Sequence, residues 1–231
     1  MIEKLKYTIF TMVIAVSSCS WADSTNKEGN EVININKKKT WCIGRYSVEL
    51  PSEANFYEQL DNYDSFKIET LSRKASRSDF DQIVEKTLKI YTIDDAEILK
   101  NFPVIQESNG SISKIILGNL DSSISKVVHV RAFVLDKGYL FSIEGQYSPK
   151  FENESKEAIQ NLVKNLKMRQ DNIIPKEKGF CIKNGFIHDS GQKYRYTSQR
   201  LMMCAAKTED FDLGDSMQLT YKSPLPFDSV S

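Results

Sequence analysis

Two alternating runs, Val127–Leu135 and Tyr139–Tyr147, constrain this chain more than any other feature. In the first, Val128, Val130, Ala132 and Val134 share one face, and Val127, His129, Arg131 and Phe133 share the other. In the second, Leu140, Ser142 and Glu144 lie opposite Phe141, Ile143 and Gly145. A strict period of two cannot keep one face of a helix apolar, so both runs read as strands. Asp136-Lys137-Gly138 between them is the length and chemistry of a hairpin turn. The chain is therefore built around an antiparallel sheet.

The flanking sequence supplies the rest of a first domain. Trp41–Leu50 alternates in part and stops at Pro51, which predicts a strand, and Phe66, Ile68 and Thr70 alternate with Lys67 and Glu69 to predict another. Ser78 reads as an N-cap with Asp79 and Asp81 in the first turn. Phe80, Ile83, Val84, Thr87, Leu88 and Tyr91 then recur at helical steps over Asp79–Tyr91. Ser111–Leu117, after Asn109-Gly110, predicts a further strand. Glu154–Met168 predicts a second helix, with Lys164, Lys167 and Arg169 near its end. Residues 41–169 thus predict an α+β domain with helices packed on one face of an antiparallel sheet. The polar stretch 170–178, with Pro175, reads as a linker. After it, Gly179–Ile187 predicts a hairpin turning at Asn184-Gly185, and Tyr194–Ser198 and Met217–Tyr221 predict strands. Residues 179–231 then form a second, smaller, mainly β domain, short for an independent core.

The N-terminus determines how the cysteines are read. Lys4 and Lys6 precede the apolar run Ile9–Val16 and the small residues Ser17, Ser18, Cys19 and Ser20, which is the layout of a secretory signal peptide over residues 1–22. Val16-Ser17-Ser18-Cys19 resembles a lipobox ending at Cys19, which would carry a lipid. Ser20-Trp21-Ala22 offers the alternative of cleavage after Ala22. Residues 23–40, rich in Lys, Asn and Glu, read as a flexible tether. Either route exports the chain to a compartment where disulfides persist. Cys42, Cys181 and Cys204 then permit one bridge. Cys42 and Cys181, each in an apolar strand context close to glycine, are the preferred pair, and Cys181 with Cys204 is the rival.

Composition and motifs exclude several classes of function. The balance of 31 basic and 31 acidic residues provides no general attraction to nucleic acid or to an anionic membrane. The sequence has no nucleophile elbow, zinc-protease helix, phosphate loop or dinucleotide fingerprint, and no catalytic residue is assigned. The two histidines, His129 and His188, lack partners at ligand spacing, so neither a metal nor a cofactor is expected. Residues and composition alone reach an exported two-part α+β protein that acts by binding.

Two separated motifs carry a resemblance. Thr40-Trp41-Cys42-Ile43-Gly44-Arg45-Tyr46-Ser47-Val48-Glu49-Leu50-Pro51 resembles the N-terminal signature of the periplasmic immunity proteins against the fourth class of type VI secretion lipase effectors. Gly179-Phe180-Cys181-Ile182-Lys183-Asn184-Gly185-Phe186-Ile187 resembles the opening of that family's C-terminal domain. Gly44, Arg45, Tyr46, Pro51, Gly179, Phe180, Gly185 and Phe186 are the motif positions expected to be structural. The resemblance implies a non-enzymatic, two-domain clamp in the periplasm that binds a secreted phospholipase effector and keeps substrate from it. The membrane would be reached only through a lipid at Cys19, at the inner face of the outer membrane; no oligomeric state is implied. Past Tyr196 the match fades, and the C-terminal domain reads as shortened relative to the family. Asp189, Lys193 and Tyr194, at the polar tip after the hairpin, are the expected partner contacts. The alternative is an envelope lipoprotein serving as a structural or binding module with no toxin partner.

Overall fold

The computed structural model describes residues 37–52, 55–93, 96–120, 127–170, 173–190, 197–204 and 216–223. In chain order these form β1 (Lys38–Ile43), β2 (Tyr46–Pro51), β3 (Asn55–Tyr63), β4 (Phe66–Ser72), α1 (Arg77–Ile90), β5 (Glu97–Asn101), β6 (Ile105–Gln106) and β7 (Ile112–Asn119). They continue with β8 (Val128–Asp136), β9 (Tyr139–Tyr147), α2 (Glu152–Asn165), β10 (Leu166–Met168), β11 (Gly179–Ile182), β12 (Gly185–His188), β13 (Thr197–Cys204) and β14 (Ser216–Ser223). The result is an α+β fold dominated by antiparallel sheet.

The largest sheet runs in the order β14-β13-β3-β4-β9-β8-β7-β5, with β6 also on β7. Its centre is the hairpin read from the sequence: Val128 pairs Tyr147 and Asp136 pairs Tyr139, so two residues make the turn. Lys137 (φ 48°) and Gly138 (φ 80°) both take the left-handed conformation, the arrangement whose twist matches that of the flanking strands. Asp64 (φ 53°) and Ser65 (φ 69°) do the same between β3 and β4.

The helices lie on opposite faces of this sheet, where one face was expected for both. Phe80 and Val84 of α1 pack with Ile112, Ile116, Phe133, Leu135 and Leu140. Ile159, Leu162 and Val163 of α2 pack with Ile115, Leu117, Val130, Ala132, Val134, Phe141 and Ile143. These sets alternate along β7, β8 and β9, so each strand is buried on both sides and needs two covering layers.

Three local boundaries differ from the sequence expectation. Trp41–Leu50 is a hairpin, not one strand, because Gly44 turns the chain at φ 58° and Ile43 pairs Tyr46. The N-cap of α1 is Ser76, not Ser78. The Ser76 hydroxyl accepts from Asp79 N and the Asp79 carboxylate accepts from Ser76 N at 2.7 Å, closing a capping box. The Ser76 N–H, and the Ser76 hydroxyl donating to the same carboxylate, hold the Asp79 carboxyl below its usual range. Finally, α2 ends at Asn165, short of Met168, because Leu166–Met168 pairs with β12 instead. Asp136 fixes that exit by accepting the Met168 N–H at 2.7 Å.

Residues on both sides of the 170–178 stretch contribute to one apolar cluster: Phe180, Ile182 and Ile187 pack with Ile143, Ile159 and Leu166. β10, β12 and β11 form a three-stranded sheet beside the main one, and β13 extends the main sheet by pairing with β3.

Candidate functional site

The two motifs meet in space. The turn of the β1–β2 ribbon sits against β11, where Gly44 and Cys181 exchange two backbone bonds: Gly44 N donates to Cys181 O at 3.1 Å and Cys181 N donates to Gly44 O at 2.7 Å. Cys42 and Cys181 are joined by a disulfide, with Cα atoms 5.8 Å apart and a sequence separation of 139. Closing so long a loop is worth about 5 kcal/mol in the chain-entropy account. The side chain of Cys204 lies outside what is described, and the rival pairing is not formed.

Beside the bridge, the Arg45 guanidinium donates to the Asp189 carboxylate at 3.0 Å, with both side chains more than nine-tenths buried. The Tyr63 hydroxyl donates to the same carboxylate oxygen at 2.6 Å. Asp189 was expected to face a partner; instead its carboxylate is turned inward and engaged by groups from the ribbon and β3. Lys193 and Tyr194, the other expected contacts, and Cys19 lie outside the described residues.

Among the remaining motif positions, Gly179, Gly185 and Phe180 are closely packed. A Cβ on Gly179 would stand 2.1 Å from the Phe186 ring and 2.4 Å from the Ile187 carbonyl oxygen, so no larger residue fits there. A Cβ on Gly185 would press on Ile182 and Phe141. Gly185 itself is in β12. The turn falls one residue earlier than expected, at Lys183-Asn184, with Asn184 at φ 59°, a conformation asparagine tolerates. Phe180 is fully buried and meets the Tyr63 ring edge-on at 5.3 Å. Tyr46 and Pro51 sit at the two ends of β2, with Tyr46 exposed.

Beneath the hairpin lies a buried polar cluster that the sequence reading did not single out. Asp61 accepts from Lys183 N at 2.8 Å, from Gln59 at 2.8 Å and 3.1 Å, and from the Gln199 side-chain amide. Gln199 also donates to Cys181 O at 2.7 Å, and the Thr70 hydroxyl donates to Lys183 O at 2.9 Å. Arg169 reaches across the join, donating to Gly185 O, Ile182 O, Gln170 O and Ile173 O at 3.1–3.2 Å. In the sequence Thr70 reads as a strand position, Cys181 and Lys183 as part of the second motif and Arg169 as a helix-end charge, while Gln59, Asp61 and Gln199 carry no signal.

Burial pushes the Asp61 carboxyl up to about 6, opposed by the hydrogen bonds from Lys183, Gln59 and Gln199. The folded chain therefore holds this proton more tightly than the unfolded chain. Stability from Asp61 is greatest below the ordinary carboxylate value and is lost as pH rises through about 6. A rise from the ordinary carboxylate value to about 6 corresponds to about 3 kcal/mol. Urea midpoints should accordingly fall between pH 4.5 and 7 by more in the native chain than in Asp61→Asn. Equal pH slopes in the two proteins would refute the assignment.

Among the described residues, no group of three or more His, Cys, Asp or Glu side chains is placed to hold a metal ion. No described helix is long and apolar enough to cross a membrane. The geometry is that of a junction between the two motif segments, closed by the disulfide, the buried ion pair and the backbone bond pair.

The family profile described as Tle cognate immunity protein 4, N-terminal domain, matches residues 39–177, more than half of the chain. The chain belongs to this type VI secretion lipase-effector immunity family. Among solved structures, a chain of the one titled "The crystal structure of Tle4-Tli4 complex" superposes with a TM-score of 0.66 at 19% identity. The match covers 85% of this chain and 63% of that one. The apo structure of the immunity protein TplEi of the type VI secretion system from Pseudomonas aeruginosa gives 0.58 at 19% identity, covering 74% of this chain and 57% of that one. The present chain thus spans less than two thirds of either relative's length, and identities this low establish the fold alone. No curated protein matches the sequence. The family match begins just before the Cys42 motif and ends just before the Cys181 motif, so the bridge ties the matched domain to the segment that follows it.

Proposed function

We propose that this chain is an immunity protein that binds and neutralises a type VI secreted phospholipase effector in the periplasm, and that it is not an enzyme. The family match over residues 39–177 carries this reading. The similar structures, an effector–immunity complex and a type VI immunity protein, support the partner class. The export-type leader over 1–22, with Cys19 as the lipidation position and Ala22 as the alternative cleavage position, supports the compartment.

The finer proposal is a grip between two parts, residues 41–169 and residues 179–231, that blocks substrate access. The two parts share a sheet and an apolar cluster, so the grip we propose acts through fixed shape and not through hinge closure. Lys193 and Tyr194 remain the proposed contacts of the second part.

The test is co-expression of the exported chain with its cognate effector. Cells should survive, and the effector should co-purify with the chain. Lysis of the cells together with no recoverable complex would overturn the reading. Survival without a complex would overturn neutralisation by direct binding.

A further inference from the structure

The β1–β2 ribbon is a two-stranded sheet of its own and shares no ladder with the main sheet. A two-stranded ribbon is marginal in water unless it is held against something else. Among the described residues, its link to the body is concentrated at the turn end. There lie the Gly44–Cys181 backbone pair, the Arg45–Asp189 ion pair and the Cys42–Cys181 bridge, while the far end closes on itself through Ser52 N donating to Lys37 O at 2.8 Å. Along the rest of the ribbon Lys38, Thr40, Tyr46, Ser47 and Glu49 are exposed, Trp41, Val48 and Leu50 are half-buried, and Ile43 beside the turn is buried. Two backbone hydrogen bonds, an ion pair that roughly offsets its own desolvation and the apolar burial of Ile43 work against the entropy of ordering the whole ribbon. The covalent bond is the largest single contribution to docking.

The geometry points to a redox latch: the β1–β2 ribbon is docked on the β11–β12 hairpin when Cys42 and Cys181 are joined, and undocked when both are thiols, while the main sheet stays folded. Latching is thiol–disulfide exchange with a disulfide donor. The Cys42 thiolate attacks the donor disulfide, breaking its S–S bond and expelling one donor thiolate. The Cys181 thiolate then attacks the mixed disulfide, forming the Cys42–Cys181 bond and expelling the second donor thiolate. The two cysteines lose two electrons and two protons, and the donor gains both pairs to become a dithiol. On the proposed function, to which this adds, the chain would assume its partner-ready shape only after export.

Hydrogen–deuterium exchange on the full chain reads the latch without any effector, so its outcome is separate from that of the co-expression test. Three samples are compared: the oxidised chain, the chain held in reductant, and the Cys42→Ser, Cys181→Ser double variant. Amides of Lys38–Pro51 should exchange about a hundredfold faster in the last two samples, with β8 and β9 retaining far more of their protection. Unchanged protection of Lys38–Pro51 on reduction would overturn the latch. An equal loss across the ribbon and β8–β9 would also overturn it, because the bridge would then be a general staple.

Discussion

Phe180→Ala is expected to lower the unfolding free energy by about 3–5 kcal/mol, the range for truncating a buried aromatic ring. Phe180 is fully buried. It packs edge-on against Tyr63 at 5.3 Å and belongs to the cluster that includes Ile143 of β9 and Ile159 and Leu162 of α2. The neighbours that would have to close the void are sheet and helix residues already committed to other contacts. Because Phe180 follows the 170–178 stretch and its partners precede it, the loss should appear in the melting of the whole sheet. Urea unfolding followed by far-UV circular dichroism and by Trp41 fluorescence should give one coincident transition, shifted to a lower midpoint. A loss below about 1 kcal/mol, or a separate early transition for the hairpin alone, would show that the two segments do not share a core.

Asp189→Ala should cost a similar amount for a different reason. Its carboxylate is the counter-charge of Arg45 at 3.0 Å and the acceptor for Tyr63 at 2.6 Å, both at buried side chains. Removing one member leaves the guanidinium buried without this counter-charge, which costs about 3–5 kcal/mol. Replacing both members with apolar residues of similar volume, Arg45→Met with Asp189→Leu, should be much milder, since the desolvation of both charges is then avoided. The double-mutant cycle built from Arg45→Met, Asp189→Leu and their combination, measured by urea unfolding, should therefore show a coupling of about 3 kcal/mol or more, with the double variant less destabilised than either single. Additive single effects would mean that the pair does not act as a unit.

Much of the strand framework was legible because period-two patterning is local. β9 has the bounds read from the sequence, and β8, β4 and the β11–β12 hairpin differ by a residue or two. β3 was missed and β13 under-read for one physical reason. Their inward positions mix Gln59, Asp61, Thr197 and Gln199 with Tyr63 and Leu201, so the face toward the core is largely polar and shows no clean apolar alternation. Asp61 and Gln199 belong inside because the β11–β12 hairpin, through Lys183 N and Cys181 O, supplies hydrogen-bond partners to them. Leu166–Met168 read as helix for a related reason: its local pattern continues α2, and only β12, which follows it in the chain, can pull it into a ladder.

The sequence by itself determined the α+β class, the central hairpin and the two cysteine motifs whose family resemblance points to immunity against a secreted lipase. Each of these depends on residues within a few positions of one another, where side-chain period, turn chemistry and motif spacing act directly. Only the tertiary structure decided that α1 and α2 take opposite faces, that Asp189 turns inward to Arg45, and that Asp61 lies beneath the hairpin. Burial and partner choice across more than a hundred residues of separation are properties of the packed chain, and no local pattern encodes them.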